Sequence, residues 1–247
     1  MKIDIREIPS YVINVESDTK RYTTSSRLLK LLGFENVHYV KAVEDRICGC
    51  SKSHHKVLSD SSIPTPFIVF EDDIILNDIP DYIIDIPDDA DALYLGASEW
   101  GTFLNHCSGG IVHYDRVDDR IVKVHNMLAT HAIMYITPTY RNLVANISYR
   151  CGYHWPSVLG GSLDIAFAEI QKYFNVYALD TPLFKQSGYN EVVTGSTISK
   201  VGISKEESMD FFNTYTKTPS KLTTIPDSAG VHGGYTPIPL HQQNAKT

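Results

Sequence analysis

The sequence predicts an α/β protein with a mostly parallel central sheet flanked by helices, and three observations carry that prediction. Short runs of β-branched and aromatic residues alternate with longer segments of helical apolar spacing, which is the signature of a layered α/β architecture. Residues 67–70 are four apolar residues in succession, as in a strand covered on both faces. That run ends abruptly in three carboxylates, Glu71, Asp72 and Asp73.

Along the chain, residues 10–16 read as the first strand and residues 18–21 as a polar turn. A helix follows over 23–32, with Leu28, Leu29, Leu31 and Leu32 as its apolar face and Gly33 as its stop. Residues 38–43 form a second strand. Ser51 or Ser53 then caps a helix through His54, His55, Val57 and Leu58. Strands are expected over 91–96, 131–136 and 176–179, and helices over 138–147 and 163–173. Residues 97–130 read as loops rich in Gly, Ser and His, and 151–161 as an aromatic, glycine-bearing loop. The texture changes at Gly188, and only 204–215 beyond it has helical spacing. The expected organisation is a catalytic domain over 1–187 and an extension over 188–247 that wraps or closes over it.

Composition narrows the function classes. The 247 residues carry 22 Lys+Arg against 29 Asp+Glu, a formal net charge of -7. A phosphate-tracking surface needs clustered basic residues, so nucleic acid is not an expected partner. No apolar run has the length of a transmembrane segment, and charges occupy the first eight positions where a signal peptide would be apolar. A cytoplasmic location and free thiols are the expectation. Cys48 and Cys50 stand too close for ordinary zinc-finger spacing.

The acidic triplet is the most informative stretch. Adjacent carboxylates repel one another and resist desolvation unless a positive charge compensates them. A hard divalent cation shared with phosphate oxygens supplies that compensation. Alternation along the strand places Glu71 and Asp73 on one side and Asp72 on the other if the strand extends so far. The alternative is a helix cap or a solvated turn.

Several segments occur in an order that resembles glycosyltransferase family 25, which includes lipooligosaccharide and procollagen galactosyltransferases. They are Tyr11 to Asn14 with Asp18 and Arg21, Ala42 with Val43, Gly49 with Cys50, Ser53 with His54, and Phe67 to Asp73. The likeness continues through His131 to Thr137, Leu163 with Asp164, and Val176 to Leu183 with Gln186. It departs at Glu44 and Asp45, where members commonly carry Asp-Gly, and at Val15 and Glu16, where they often carry Leu-Asp.

The resemblance implies a GT-A-type (nucleotide-diphospho-sugar transferase) fold. It also implies a UDP-sugar donor, Mn²⁺ or Mg²⁺, and transfer of galactose or glucose to a glycan hydroxyl with inversion. In that frame Asp73 binds the metal, with Asp72 beside it. Glu71 and Asp72 serve the ribose or act through water. Asp164 is the general base, although its place before a helix also suits an N-cap. Arg21 holds a base or phosphate, Val12 and Asn14 lie near the uracil, and His54 meets a phosphate or braces the acidic loop. His106, His131, His154 and Gln186 are candidates for a further metal ligand, and Trp100, Tyr153 and Trp155 for the acceptor site. A sugar nucleotidyltransferase and a non-catalytic binding or scaffold module are the alternatives.

Overall fold

The computed structural model describes residues 1–78, 81–98, 100–102, 108–154, 163–187 and 197–205. The first half contains β1 (Lys2–Asp4), β2 (Ser10–Asn14), α1 (Thr19–Leu31), β3 (Val37–Lys41), α2 (Gly49–Leu58), β4 (Phe67–Glu71), β5 (Ile74–Leu76) and β6 (Ile83–Asp85). Next come β7 (Ala92–Tyr94), β8 (Trp100–Thr102), β9 (Ser108–Ile111), β10 (His113–Arg116), β11 (Ile121–Val124) and β12 (Ala132–Tyr135). The chain continues through α3 (Pro138–Tyr149), a π-helical turn (Arg150–His154), α4 (Leu163–Gln171), β13 (Val176–Leu179), β14 (Phe184–Gln186), α5 (Ile198–Val201) and β15 (Ile203–Ser204).

Nine strands form the main sheet in the order β15-β10-β11-β13-β7-β12-β4-β2-β3. The pairs β2–β3, β2–β4, β7–β13 and β10–β15 are parallel. The pairs β4–β12, β7–β12, β11–β13 and β10–β11 are antiparallel. Three two-stranded pairings, β1–β6, β5–β14 and β8–β9, are antiparallel as well. Antiparallel pairings therefore predominate among the described residues, and the sheet is open at β15 and β3. This corrects the expectation of a mostly parallel sheet and, with it, of the GT-A-type fold. A buried strand is an apolar run whichever way its neighbours point, provided both faces are covered, so the run at 67–70 held no information on direction.

Both faces are covered here. Phe67 and Val69 face one apolar cluster with Val57 and Leu58 of α2, Val144 and Ile147 of α3, and Phe167 and Ile170 of α4. Ile68 and Phe70 face the other, with Val12 of β2, Leu29 of α1, Ile84 of β6 and Phe184 of β14. All four residues of the β4 run are fully buried, each worth about 1.5–3 kcal/mol relative to exposure.

Local signals explain most element boundaries. The Asp18 carboxylate accepts from Arg21 N and caps α1, so residues expected as a polar turn are the helix's cap and first turn. Gly33, at φ 81°, ends the same helix in the left-handed region. Thr137 caps α3, with Pro138 in its first turn. The expected Ser51 or Ser53 cap of α2 is corrected: the helix begins at Gly49, and both serines are buried within it. Ser53 Oγ turns inward to donate to the Gly49 carbonyl, at 2.6 Å, and accepts from Val43 N. Residues 97–130 are also corrected, because β8 to β11 lie there rather than loops. These strands are three or four residues long, and a run that short leaves little periodicity to detect. Of the 188–247 extension only 197–205 is described, and there β15 joins the edge of the main sheet beside β10.

Candidate functional site

The parallel trio β3-β2-β4 ends in one place, and the acidic triplet stands at the end of β4. A cavity of about 540 Å³ opens there, walled by Ile13 and Val15 of the β2 segment, by Cys50 and His54 of α2, and by Glu71, Asp72 and Asp73. Arg21 closes it toward a second cavity of about 360 Å³, which also touches Lys20, Asp72 and Asp73.

Strand alternation divides the triplet. Phe67, Val69 and Glu71 share the α2 face of β4, whereas Ile68, Phe70 and Asp72 share the α1 face. Asp72 and Asp73 form the turn into β5, so alternation stops before Asp73.

Glu71 is the most fully engaged of the three. Its Oε1 lies 3.0 Å from His54 Nε2 and accepts from Thr130 Oγ1 at 2.7 Å, and its Oε2 accepts from Gln186 Nε2 at 3.0 Å. Burial alone would raise its pKa, but the His54 bond and charge, the Thr130 hydroxyl and His131 hold it at about 2.

Asp72 is held from the other side. Its Oδ2 accepts from Asn14 Nδ2 at 2.7 Å and Val15 N at 3.4 Å, and its Oδ1 lies 3.4 Å from Arg21 Nη1.

Asp73 is under-compensated. Its Oδ2 is 3.8 Å from Arg21 Nη1, and its Oδ1 is buried with no hydrogen-bond partner among the described residues. Burial first, and then the charge of Glu71, push its pKa up to about 6 against the opposing pull of Arg21. Its backbone is fixed by a bond from Ser187 N to its carbonyl. A buried carboxylate with one oxygen that has no partner among the described residues, beside a cavity, fits a hard cation, and Asp73 fits better than Asp72, whose oxygens both have partners.

The other expected residues are distributed as follows. Val12 is buried in the core on the face away from the cavity, and Asn14 turns its amide to Asp72; their neighbours Ile13 and Val15 line the cavity instead. Asp164 lies in the first turn of α4, close enough for its charge to act on Cys50 and for that of Glu71 to act on it. Burial, followed by Glu71, raises its pKa, against the Ile165 N–H that its Oδ1 accepts at 2.8 Å.

His131 is buried beneath the triplet, 3.4 Å from the Phe184 carbonyl oxygen, with its ring against Gly96. His154 packs edge-on against Tyr149, away from the triplet's bonds. Trp100 is exposed on β8, and Tyr153 is exposed near the cavity rim, where Lys52 lies over its ring and pairs with Asp45. His106 and Trp155 lie outside the described residues.

Sequence reasoning missed Cys50 and Thr130. Cys50 and His54 are four residues apart on α2 and so share its face, a signal hidden once the helix is started at Ser51 or Ser53. Cys50 Sγ lies 3.9 Å from Glu71 Oε1, and the ligand atoms of Cys50, His54 and Glu71 all lie within 4.8 Å of one another. These three residues could hold a metal ion.

No family model matches the chain, and no curated protein matches it. Among the described residues no helix is long and apolar enough to cross a membrane.

Proposed function

We propose that the chain is a metal-dependent glycosyltransferase that moves a hexose from a UDP-sugar to an acceptor hydroxyl with inversion. The observation that carries this reading is the Oδ1 of Asp73, which has no hydrogen-bond partner among the described residues and is buried beside a cavity large enough for a nucleotide and flanked by Arg21. A free carboxylate oxygen next to a cationic fork is the donor set that a diphosphate with its cation needs. The ordered resemblance to family 25 supports the same chemistry.

Asp73, with Asp72 beside it, would hold Mn²⁺ or Mg²⁺, which when bound offsets the negative charge of the leaving diphosphate. The chain's own groups do the rest. Asp72 holds Arg21 in place, and Arg21 meets a phosphate oxygen with its remaining N–H groups. Glu71, anchored by His54, Thr130 and Gln186, fixes the end of β4 and adds the field that Asp73 feels. Asp164 accepts the acceptor's hydroxyl proton as the new C–O bond forms at the anomeric carbon. The bond from that carbon to the diphosphate breaks, and UDP keeps the electron pair. The raised pKa of Asp164 makes it a stronger base than an ordinary aspartate.

The test is release of UDP from a panel of UDP-sugars with Mn²⁺, Mg²⁺ or EDTA, comparing the native chain with Asp73→Asn. Metal-dependent turnover of one donor that disappears in the variant supports the reading. With pyrophosphate added, conversion of a UDP-sugar to UTP and a sugar 1-phosphate would mean nucleotidyl transfer. Absence of both turnover and metal-dependent UDP binding would mean a scaffold.

A further inference from the structure

We propose that Cys50, His54 and Glu71 form a second metal site, separate from Asp73 and selective for a borderline transition-metal ion of the Zn²⁺ class. The proposal stands on ligand chemistry and geometry and does not depend on sugar transfer.

The donor set is one sulfur, one imidazole nitrogen and one carboxylate oxygen. Hard cations such as Mg²⁺ and Ca²⁺ prefer all-oxygen sites, whereas thiolate and imidazole select zinc and its neighbours. With ordinary zinc bond lengths, tetrahedral ligation places nitrogen and oxygen ligands about 3.4 Å apart, and sulfur and oxygen about 3.6 Å apart. The structure has His54 Nε2 at 3.0 Å and Cys50 Sγ at 3.9 Å from the same oxygen, Glu71 Oε1. The third edge, from Cys50 Sγ to the His54 ring nitrogen, is within 4.8 Å, so closing the set takes side-chain shifts of up to about 1 Å. Three protein ligands leave one tetrahedral position for water or a ligand oxygen, and all three residues line the cavity.

The scaffold holds the ligands firmly. Cys50 and His54 are one helical turn apart on α2, and His54 is buried. Glu71 is braced by Thr130 and Gln186, as metal-binding carboxylates are commonly braced by outer hydrogen bonds. One feature opposes tight binding. His54 Nδ1 is buried without a hydrogen-bond partner among the described residues. A metal at Nε2 leaves the ring proton on Nδ1, without the acceptor that metal-bound histidines usually have. Lack of that acceptor weakens a site by about 10–100-fold, so reversible rather than chelator-resistant binding is expected. Binding replaces the thiol proton of Cys50 and the proton between His54 and Glu71. The thiol proton and the Nε2 proton are displaced and the ring keeps one proton, on Nδ1, so affinity rises with pH.

The experiment titrates the metal-free full chain with Co²⁺ under a non-thiol reductant and follows the thiolate-to-Co²⁺ charge-transfer absorption. The native chain is expected to bind one equivalent with that band and to lose the band when Zn²⁺ is added. Cys50→Ser, a change at an exposed position, is expected to abolish the band and weaken binding at least tenfold. Asp73→Asn is expected to keep both band and stoichiometry. The proposal is overturned if the native chain shows no band. It is equally overturned if the band survives in Cys50→Ser, which would place the thiolate on another cysteine. Loss of the band in Asp73→Asn would overturn the separateness of the two sites. None of these readouts requires a nucleotide, so failure of sugar transfer would leave this result standing.

Discussion

Glu71 and Asp73 stand two residues apart and are held at opposite ends of the carboxylate range, Glu71 at about 2 and Asp73 at about 6. The difference follows from partners. Glu71 has His54, Thr130 and Gln186, whereas one oxygen of Asp73 has no hydrogen bond among the described residues. Clustered titratable groups pushed apart in this way are characteristic of functional sites. Asp73→Asn therefore removes a strained charge. Without metal the variant is expected to melt several degrees above the native chain at pH 7, since a chain of this size gains about 2–4 °C per kcal/mol. Millimolar Mn²⁺ is expected to raise the native melting temperature and leave that of the variant unchanged. Thermal melts with and without Mn²⁺ check both, and a lower melting temperature for metal-free Asp73→Asn would refute the account.

The pH dependence has a defined sign. The folded pKa of Asp73 is raised above its ordinary 3.8, so its contribution favours the fold at low pH and is lost as pH rises through about 6. The folded pKa of Glu71 is lowered from 4.5, so its contribution is present above that value and fades as pH falls toward 2. Native and Asp73→Asn chains should therefore have similar stability near pH 4. They should separate by about 1–3 kcal/mol between pH 4 and 7 and change little further above that. Urea unfolding at several pH values measures the gap.

Removing Asp72 should act differently, because Asp72 is paired. Asp72→Ala removes the acceptor of Val15 N, leaves Asn14 Nδ2 with only the Asp18 carbonyl at 3.5 Å, and leaves Arg21 with Asp18 and Asp73 at 3.6 and 3.8 Å. A loss of about 1–3 kcal/mol is expected, with the half-exposed Arg21 pair contributing the least. UDP binding should weaken as Arg21 loses one of its three carboxylate partners. Titration calorimetry with UDP, alongside urea unfolding, checks both effects.

Gly96 offers a test that touches no charged group. A Cβ there would lie 2.2 Å from His131 Nε2 and 3.1 Å from Ala132 Cβ. His131 is buried, and its backbone carbonyl accepts from Glu71 N at 2.9 Å. Gly96→Ala must therefore move a packed ring that sits beneath the triplet. A loss of about 1–3 kcal/mol is expected, together with weaker metal binding. Unchanged melting and metal affinity would show that the ring has room to move.

The sequence made the triplet visible because a fully buried strand ending in three carboxylates is an unusual composition, and β4 forms where that pattern predicts. Strands β2, β3, β7, β12 and β13 and helices α1, α3 and α4 were legible for the same reason, through apolar spacing and caps. Strand direction was not legible. β12 runs antiparallel between β4 and β7, yet its four buried residues read the same either way. β8 to β11 escaped because three or four residues cannot show a period. Within the site, Cys50 was hidden by starting α2 at Ser51 or Ser53, two or four residues past its true start at Gly49. Thr130 was hidden because its role depends on a contact across 59 positions, which no local pattern encodes.

Gln171 separates positioning from chemistry. It is fully buried at the end of α4, where its Oε1 accepts from Met127 N at 2.7 Å. Its Nε2 donates to the Met127 carbonyl at 2.8 Å and lies 3.3 Å from the Tyr94 hydroxyl. This side chain fastens α4 to the segment after β11, and α4 carries Asp164 two turns earlier. Gln171→Leu preserves approximate size but leaves the buried N–H and C=O of Met127 unpaired, at about 1–3 kcal/mol each. Its melting temperature should fall markedly, and turnover should fall with it as Asp164 loses its fixed place. Asp164→Asn should do the reverse, retaining or slightly raising the melting temperature while abolishing transfer, because its raised pKa marks a charge the fold would rather not bury. Measuring both variants for melting and UDP release distinguishes a helix that merely packs from one that delivers a base. Equal loss of stability in the two would assign Asp164 to capping alone.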